Sequence, residues 1–264
     1  MQPSSRGRLR LTAESPNWAL YYRMQDGRPR EFCEIRRVGS AVWVRSGGVN
    51  TWGTRESTAY GSSEAADAGF RTVGREKSAE GFVLTREGVY DPSRFDYDQL
   101  REELREGVRK AFTAVRDAHA GENVNAFALV SDGSAMTIDV AANSEEALSR
   151  NDEDDDYRWN PDEWPYSEGG EFLDIAYRLL LTQHQDLPSE IPFEDFQEGV
   201  FEAGVRALEE LDQEGFFGSG PARDTVILLF HVTDADPLED AARRLNTPAQ
   251  YQRYHAWWQS WNED

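Results

Sequence analysis

The chain has 264 residues, 39% of them hydrophobic and 12% aromatic, enough to build real cores and to exclude a globally disordered protein. Its net charge is −21, and no apolar run approaches the roughly 18 residues that a membrane helix needs. The single cysteine, Cys33, excludes an internal disulfide and fits a reducing compartment. Arg6, Arg8 and Arg10 near the start are not followed by the hydrophobic core of a signal peptide, so a cytoplasmic location is expected.

In chain order, Trp18–Tyr22 reads as a strand. Phe32–Val38 is a second, ended by Gly39-Ser40, and Val42 and Val44 alternate in a third. Ser46-Gly47-Gly48 suits a bend, and Thr54–Tyr60 a further strand. Ser62-Ser63-Glu64 opens a helix with an apolar stripe of Ala65, Ala66, Phe70 and Val73. Phe82 and Val83 close this unit, and charged Thr85–Asp91 with Gly88 reads as a linker.

A second unit begins near Pro92. Leu100, Leu104, Val108, Ala111, Phe112 and Val115 share one face of a helix over 96–118. Val124–Val130 and Met136–Val140 are strands joined by a turn at Ser131–Ser134, and Asn143 with Glu146 forms a capping box. An acidic run, Asp152-Glu153-Asp154-Asp155-Asp156, leads into Tyr157-Arg158-Trp159-Asn160-Pro161-Asp162-Glu163-Trp164. Helices follow at 170–183, with a stripe of Phe172, Ile175, Ala176, Leu179 and Leu180, and at 193–213. Asp224–His231 is a buried-type strand, and a last helix starts at Thr247-Pro248 and carries Tyr251, Tyr254, Trp257, Trp258 and Trp261. The fold class expected is α+β, with domains at 8–85 and 92–264.

Charge divides the chain. Residues 1–85 hold 13 Lys+Arg against 9 Asp+Glu, and the rest hold 15 against 40. The second part should repel polyanions and attract basic proteins.

Within residues 32–83, Gly39, Val42, Val44, Arg45, Gly47, Val49, Thr51 and Gly53 resemble the core of a WGR domain, a family found in poly(ADP-ribose) polymerases and many bacterial proteins. The resemblance implies a small antiparallel sheet followed by a helix. Where that family has Trp-Gly-Arg this chain has Ser46-Gly47-Gly48, so the tryptophan and arginine that face DNA in the family are missing. From about 95 to 262, the Phe127–Asp132 hairpin segment, Asn143-Ser144-Glu145-Glu146 and the Tyr157–Trp164 motif resemble a bacterial family of unknown function. That resemblance implies a fold unit and no chemistry.

No motif of catalysis or of phosphate binding occurs. His119, His184, His231 and His255 lack ligand spacing. His231, at a strand end with Asp234 and Asp236 after it, is the one anchor for an enzyme reading, against a hydrogen-bonded structural histidine. Neither enzyme activity, cofactor nor metal is expected. The leading expectation is a non-enzymatic protein-binding module of the bacterial cytoplasm, in an immunity or adaptor role. It would engage a basic protein, such as a toxin or effector, through Asp152, Glu153, Asp154, Asp155, Asp156, Trp159 and Trp164. The alternative is a nucleic-acid-associated protein of DNA repair or phage defence that uses Arg36, Arg37, Arg45, Trp52 and Arg55.

Overall fold

The computed structural model describes residues 15–91, 93–151, 155–185 and 191–261, apart from the side chains of Gln185 and Trp261. The chain is α+β and divides into two compact units, residues 1–91 and 92–264.

In the first unit β1 (Trp18–Gln25), β2 (Arg28–Val38), β3 (Ala41–Gly48) and β4 (Thr54–Ala59) run as an antiparallel meander, followed by α1 (Ser63–Ala79) and β5 (Val83–Gly88). Sheet order is β4-β3-β2-β1-β5. Asp26 and Gly27 both take left-handed φ, 51° and 76°, the backbone that a two-residue hairpin turn requires. Ser62 caps α1 by accepting from the Ala65 amide at 3.2 Å. Side chains alternate across the sheet. Tyr21, Cys33, Ile35 and Val42 pack with Ala66 of α1 and Phe82. Burial pushes the Cys33 thiol up to about 11, so the residue is a neutral core hydrophobe.

The expected linker at Thr85–Asp91 is a strand as far as Gly88. Leu84 pairs with Tyr21 and Glu87 with Ala19, antiparallel, with a register shift between Leu20 and Tyr21. An edge strand is exposed on its outer side and tolerates charge there, so Thr85-Arg86-Glu87 has the composition of a linker while forming a ladder.

The second unit contains α2 (Tyr97–Ala118), β6 (Val124–Asp132), β7 (Ile138–Ser144), α3 (Glu145–Arg150), α4 (Asp155–Trp159), α5 (Asp174–Gln185), α6 (Phe193–Gln213), β8 (Ile227–Thr233), α7 (Glu239–Leu245) and α8 (Pro248–Trp261). Its sheet has the order β7-β6-β8, with β6 antiparallel to β7 and parallel to β8. Both faces are covered. Phe127, Leu129, Val140, Leu228 and Phe230 pack on α2, α5 and α6. Ala126, Ala128, Ala141, Ile227 and Leu229 pack on Trp159, Trp164, Ala242 and Tyr254.

The α2 and α6 stripes are buried as the periodicity predicts. A Cβ at Gly204 would stand 2.2 Å from the Phe230 ring, so glycine there lets α6 lie close on β8. Two local expectations change. Ser144, not Asn143, caps α3, accepting from the Ala147 amide at 2.9 Å. Asn143 stays in β7 and its amide donates to the Tyr157 carbonyl at 2.7 Å. In α5 and the turn before it, Ala176 and Leu180 are buried as expected, whereas Leu173, Tyr177 and Leu181 take the inner places expected of Phe172, Ile175 and Leu179. Asp174 and Arg178, 1% and 0% exposed, take positions on that face.

Candidate functional site

Of the expected acidic docking segment, Asp152, Glu153 and Asp154 lie outside the described residues. Asp155 and Asp156 open α4, where carboxylates favour the helix N-terminal dipole. The Asp155 carboxylate is 3.8 Å from Arg158, and the Asp156 Oδ1 accepts from the Trp257 indole at 2.7 Å. Asp156 thus ties α4 to α8 instead of offering a free charge.

Trp159 and Trp164 are 2% and 7% exposed, which corrects their assignment to a docking surface. Three alanines on the sheet, Ala126, Ala128 and Ala141, leave a hollow that the two indoles fill. Trp159 also meets Tyr254 edge-on, with ring centroids 5.8 Å apart, and Arg253 lies 5.6 Å over its ring. Aromatics with prolines between them describe a core plug as well as a binding loop, and only the alanine face opposite decides for the plug.

The alternative set of basic residues is also divided. Arg36 and Arg45 are 6% and 7% exposed, so neither presents a guanidinium to a polyanion. Arg45 sits opposite Glu34 in the β2–β3 register, and Glu34 accepts from the Trp18 indole at 2.8 Å. Arg36 stacks 4.7 Å over Tyr90. Arg37 pairs with Asp67 of α1 at 2.5 Å. Arg55 lies 4.5 Å over Trp43, and Trp52 is exposed. Arg55 and Trp52 are therefore the accessible members. Sequence reasoning missed Glu34, the acid that stands among these arginines. The signal was there, because Glu34 and Arg36 alternate with Cys33 and Ile35 along β2.

At the end of β8, His231 Nε2 lies 3.0 Å from Asp162 Oδ2, its one hydrogen-bond partner among the described residues. The pairing orients the ring but brings no nucleophile to it. Glu163, next to Asp162 in the chain, and Asp234 and Asp236, just past β8, are exposed, and none has an ion-pair partner among the described residues. Asp234 takes a left-handed φ of 57° in the turn that leaves the strand. No group of three His, Cys, Asp or Glu among the described residues is placed to hold a metal ion.

A second polar cluster is built on Glu122. Its Oε2 accepts from Ser144 Oγ at 2.5 Å and from the Tyr166 hydroxyl, and its Oε1 accepts from Arg150 at 3.1 Å. His119 stacks on Tyr166, with centroids 3.8 Å apart, and bonds Glu168 at 2.9 Å. The Ser144 and Tyr166 hydroxyls, with Arg150, hold the Glu122 carboxyl down to about 2 from its usual 4.5. Since the folded value is the lower one, this stabilisation is complete above 4.5 and is lost as pH falls toward 2. Glu122→Gln is therefore expected to flatten the acid limb of stability between those values, measured by urea melts against pH. An unchanged limb would remove Glu122 from the acid transition.

The profile of a family described as a domain of unknown function, DUF4303, matches residues 104–247. No curated protein matches the chain. A crystal structure of a protein from Bacteroides fragilis is similar, with 21% identity and a TM-score of 0.24 over 37% of this chain. That match spans 30% of the length of the Bacteroides fragilis protein. The family match lies wholly in the second unit and takes in its sheet, both of the tryptophans that plug it and the His231–Asp162 pair. This chain belongs to the DUF4303 family.

Proposed function

We propose that the protein is a non-enzymatic binding module whose acidic second unit engages a basic protein partner, in an immunity or adaptor role in the bacterial cytoplasm. One observation carries this reading: Asp234 and Asp236 follow the end of β8, Glu163 follows the Asp162 that bonds His231 there, and all three are exposed without a paired cation among the described residues. Carboxylates held there keep their charge available for steering an oppositely charged partner. The site thus lies at the β8 end and not on Trp159 and Trp164. Among the described residues no helix is long and apolar enough to cross a membrane.

The test is capture of binding proteins from nuclease-treated lysate on the full chain and on its Glu163→Lys, Asp234→Lys, Asp236→Lys variant. A basic protein held by the parent at low salt should bind the variant at least about tenfold more weakly, roughly 1.4 kcal/mol. The difference should shrink at high salt. Equal capture by both would overturn the reading.

The alternative is nucleic-acid association through a WGR-like first unit. Its support is the order of four strands, helix and final strand, together with exposed Trp52 and Arg55. Nuclease-sensitive recovery that fails in Trp52→Ala, Arg55→Ala would favour it.

A further inference from the structure

Helix α1 lies chiefly over β2 and β3, whereas the sheet continues through β1 to β5. Five strands at about 4.8 Å spacing span roughly 19 Å, and a helix with its side chains covers about 10 Å of that. Among the described residues of this unit, the half of the sheet not under α1 forms an open groove of about 540 Å³ between α1 and the β1–β5 edge. Its floor is Tyr21 and Leu84, its helix wall carries Phe70, Arg71 and Arg75, and Glu87 lies at the β5 side.

Three features mark the groove as made for an occupant. Leu84 is 43% exposed, an apolar side chain facing the helix side of the sheet and left open to solvent. Tyr21 is only 8% exposed, yet its hydroxyl lines the groove and has no hydrogen-bond partner among the described residues. Gly74 lets that hydroxyl lie close against α1, since a Cβ there would stand 2.5 Å from it. Burial raises the Tyr21 pKa, so the phenol remains a donor. Arg71 and Arg75 are one helical turn apart and both exposed. Arg71 has no ion pair among the described residues, and the only bond of Arg75 is to Thr72 of its own helix, at 3.0 Å.

We propose that this groove is a docking site for an amphipathic helix of a partner protein, with its apolar stripe on Leu84 and Phe70 and a carboxylate flank against Arg71, Arg75 and the Tyr21 hydroxyl. The uncovered width matches one helix, and helix-in-groove recognition uses this mixture of apolar floor and charged rim. Glu87 gives the site polarity by keeping carboxylates on the α1 side. The inference is independent of the acidic surface of the second unit, which has the opposite charge.

The test is selection of a phage-displayed random library of peptides about 16 residues long, roughly four helical turns, on the full chain. Enriched peptides should carry apolar residues at three- and four-residue spacing with Asp or Glu beside them. As synthetic peptides they should bind the Arg71→Glu, Arg75→Glu variant at least about tenfold more weakly. Tyr21→Phe should weaken binding roughly fivefold, the effect of one lost hydrogen bond. Both arginines are exposed, so their reversal leaves the core intact, and far-ultraviolet circular dichroism of the variants verifies this. Failure to enrich any acidic amphipathic peptide, or binding of such peptides that is indifferent to the reversal, would overturn the proposal. Displacement of the peptides by inorganic phosphate at micromolar concentration would also overturn it, in favour of a small-anion site.

Discussion

Trp159→Ala is expected to destabilise the second unit by about 3–5 kcal/mol, the range for deleting a fully buried aromatic side chain. The site explains the upper part of that range. The indole is 2% exposed and rests on Ala126, Ala128 and Ala141. Alanines have no side-chain torsion with which to close over a cavity, and strands held in a ladder do not move inward to fill it. Loss of the edge contact with Tyr254 adds to the deficit. Total stabilities of about 5–15 kcal/mol are usual, so a large share disappears, and the thermal midpoint should fall by roughly 10 °C. Trp159→Phe should recover part of the loss by keeping a ring in the hollow. The contrast is Trp52→Ala: that indole is 56% exposed, and its removal should change stability by no more than about 0.5 kcal/mol. If Trp159→Ala melts like the parent while losing a partner, Trp159 is a docking residue and the packing described above is wrong.

Asp174→Ala is expected to cost about 3–5 kcal/mol as well, for a different reason. Asp174 and Arg178 lie four residues apart on α5, at 1% and 0% exposure. The guanidinium Nε is 3.2 Å from Oδ2 and Nη2 is 3.1 Å from Oδ1, a two-pronged pair. Arg178 also lies 4.7 Å from the Tyr177 ring centroid. Removing the carboxylate takes a two-pronged counter-charge from a cation that cannot reach water and cannot give up its proton. The cost is the buried charge left with fewer partners more than the lost attraction. For that reason Asp174→Leu with Arg178→Met should be far less damaging than Asp174→Ala alone. Chemical denaturation of the three proteins checks this. A single variant within about 1 kcal/mol of the parent would mean that the pair is solvated and contributes as surface pairs do.

The same two places show where sequence reading ends. Local rules determined the α+β class, the long helices and their buried faces. Leu100, Leu104, Val108 and Phe112 on α2 are buried as their spacing requires, because a stripe at three- and four-residue intervals has one way to leave water. The charge division and the likeness of the second part to a family of unknown function were legible too, since both depend on composition and on strings of adjacent residues. What failed depended on partners distant in the chain. Strand β5 is linker-like in composition and becomes a strand only because β1 offers it an edge. The Tyr157–Trp164 motif reads as a binding loop until the alanine face of the sheet is set opposite it. Arg36 and Arg45 read as a phosphate grip until burial and Glu34 are known. In the α5 stripe Ala176 and Leu180 hold, but Phe172, Ile175 and Leu179 give way to Leu173, Tyr177 and Leu181 on a face that also takes a charged pair. An isolated sequence reports how a residue would prefer to meet water. Whether a tryptophan, an arginine or an aspartate does meet water is decided by the opposing surface, and only the tertiary structure supplies that surface.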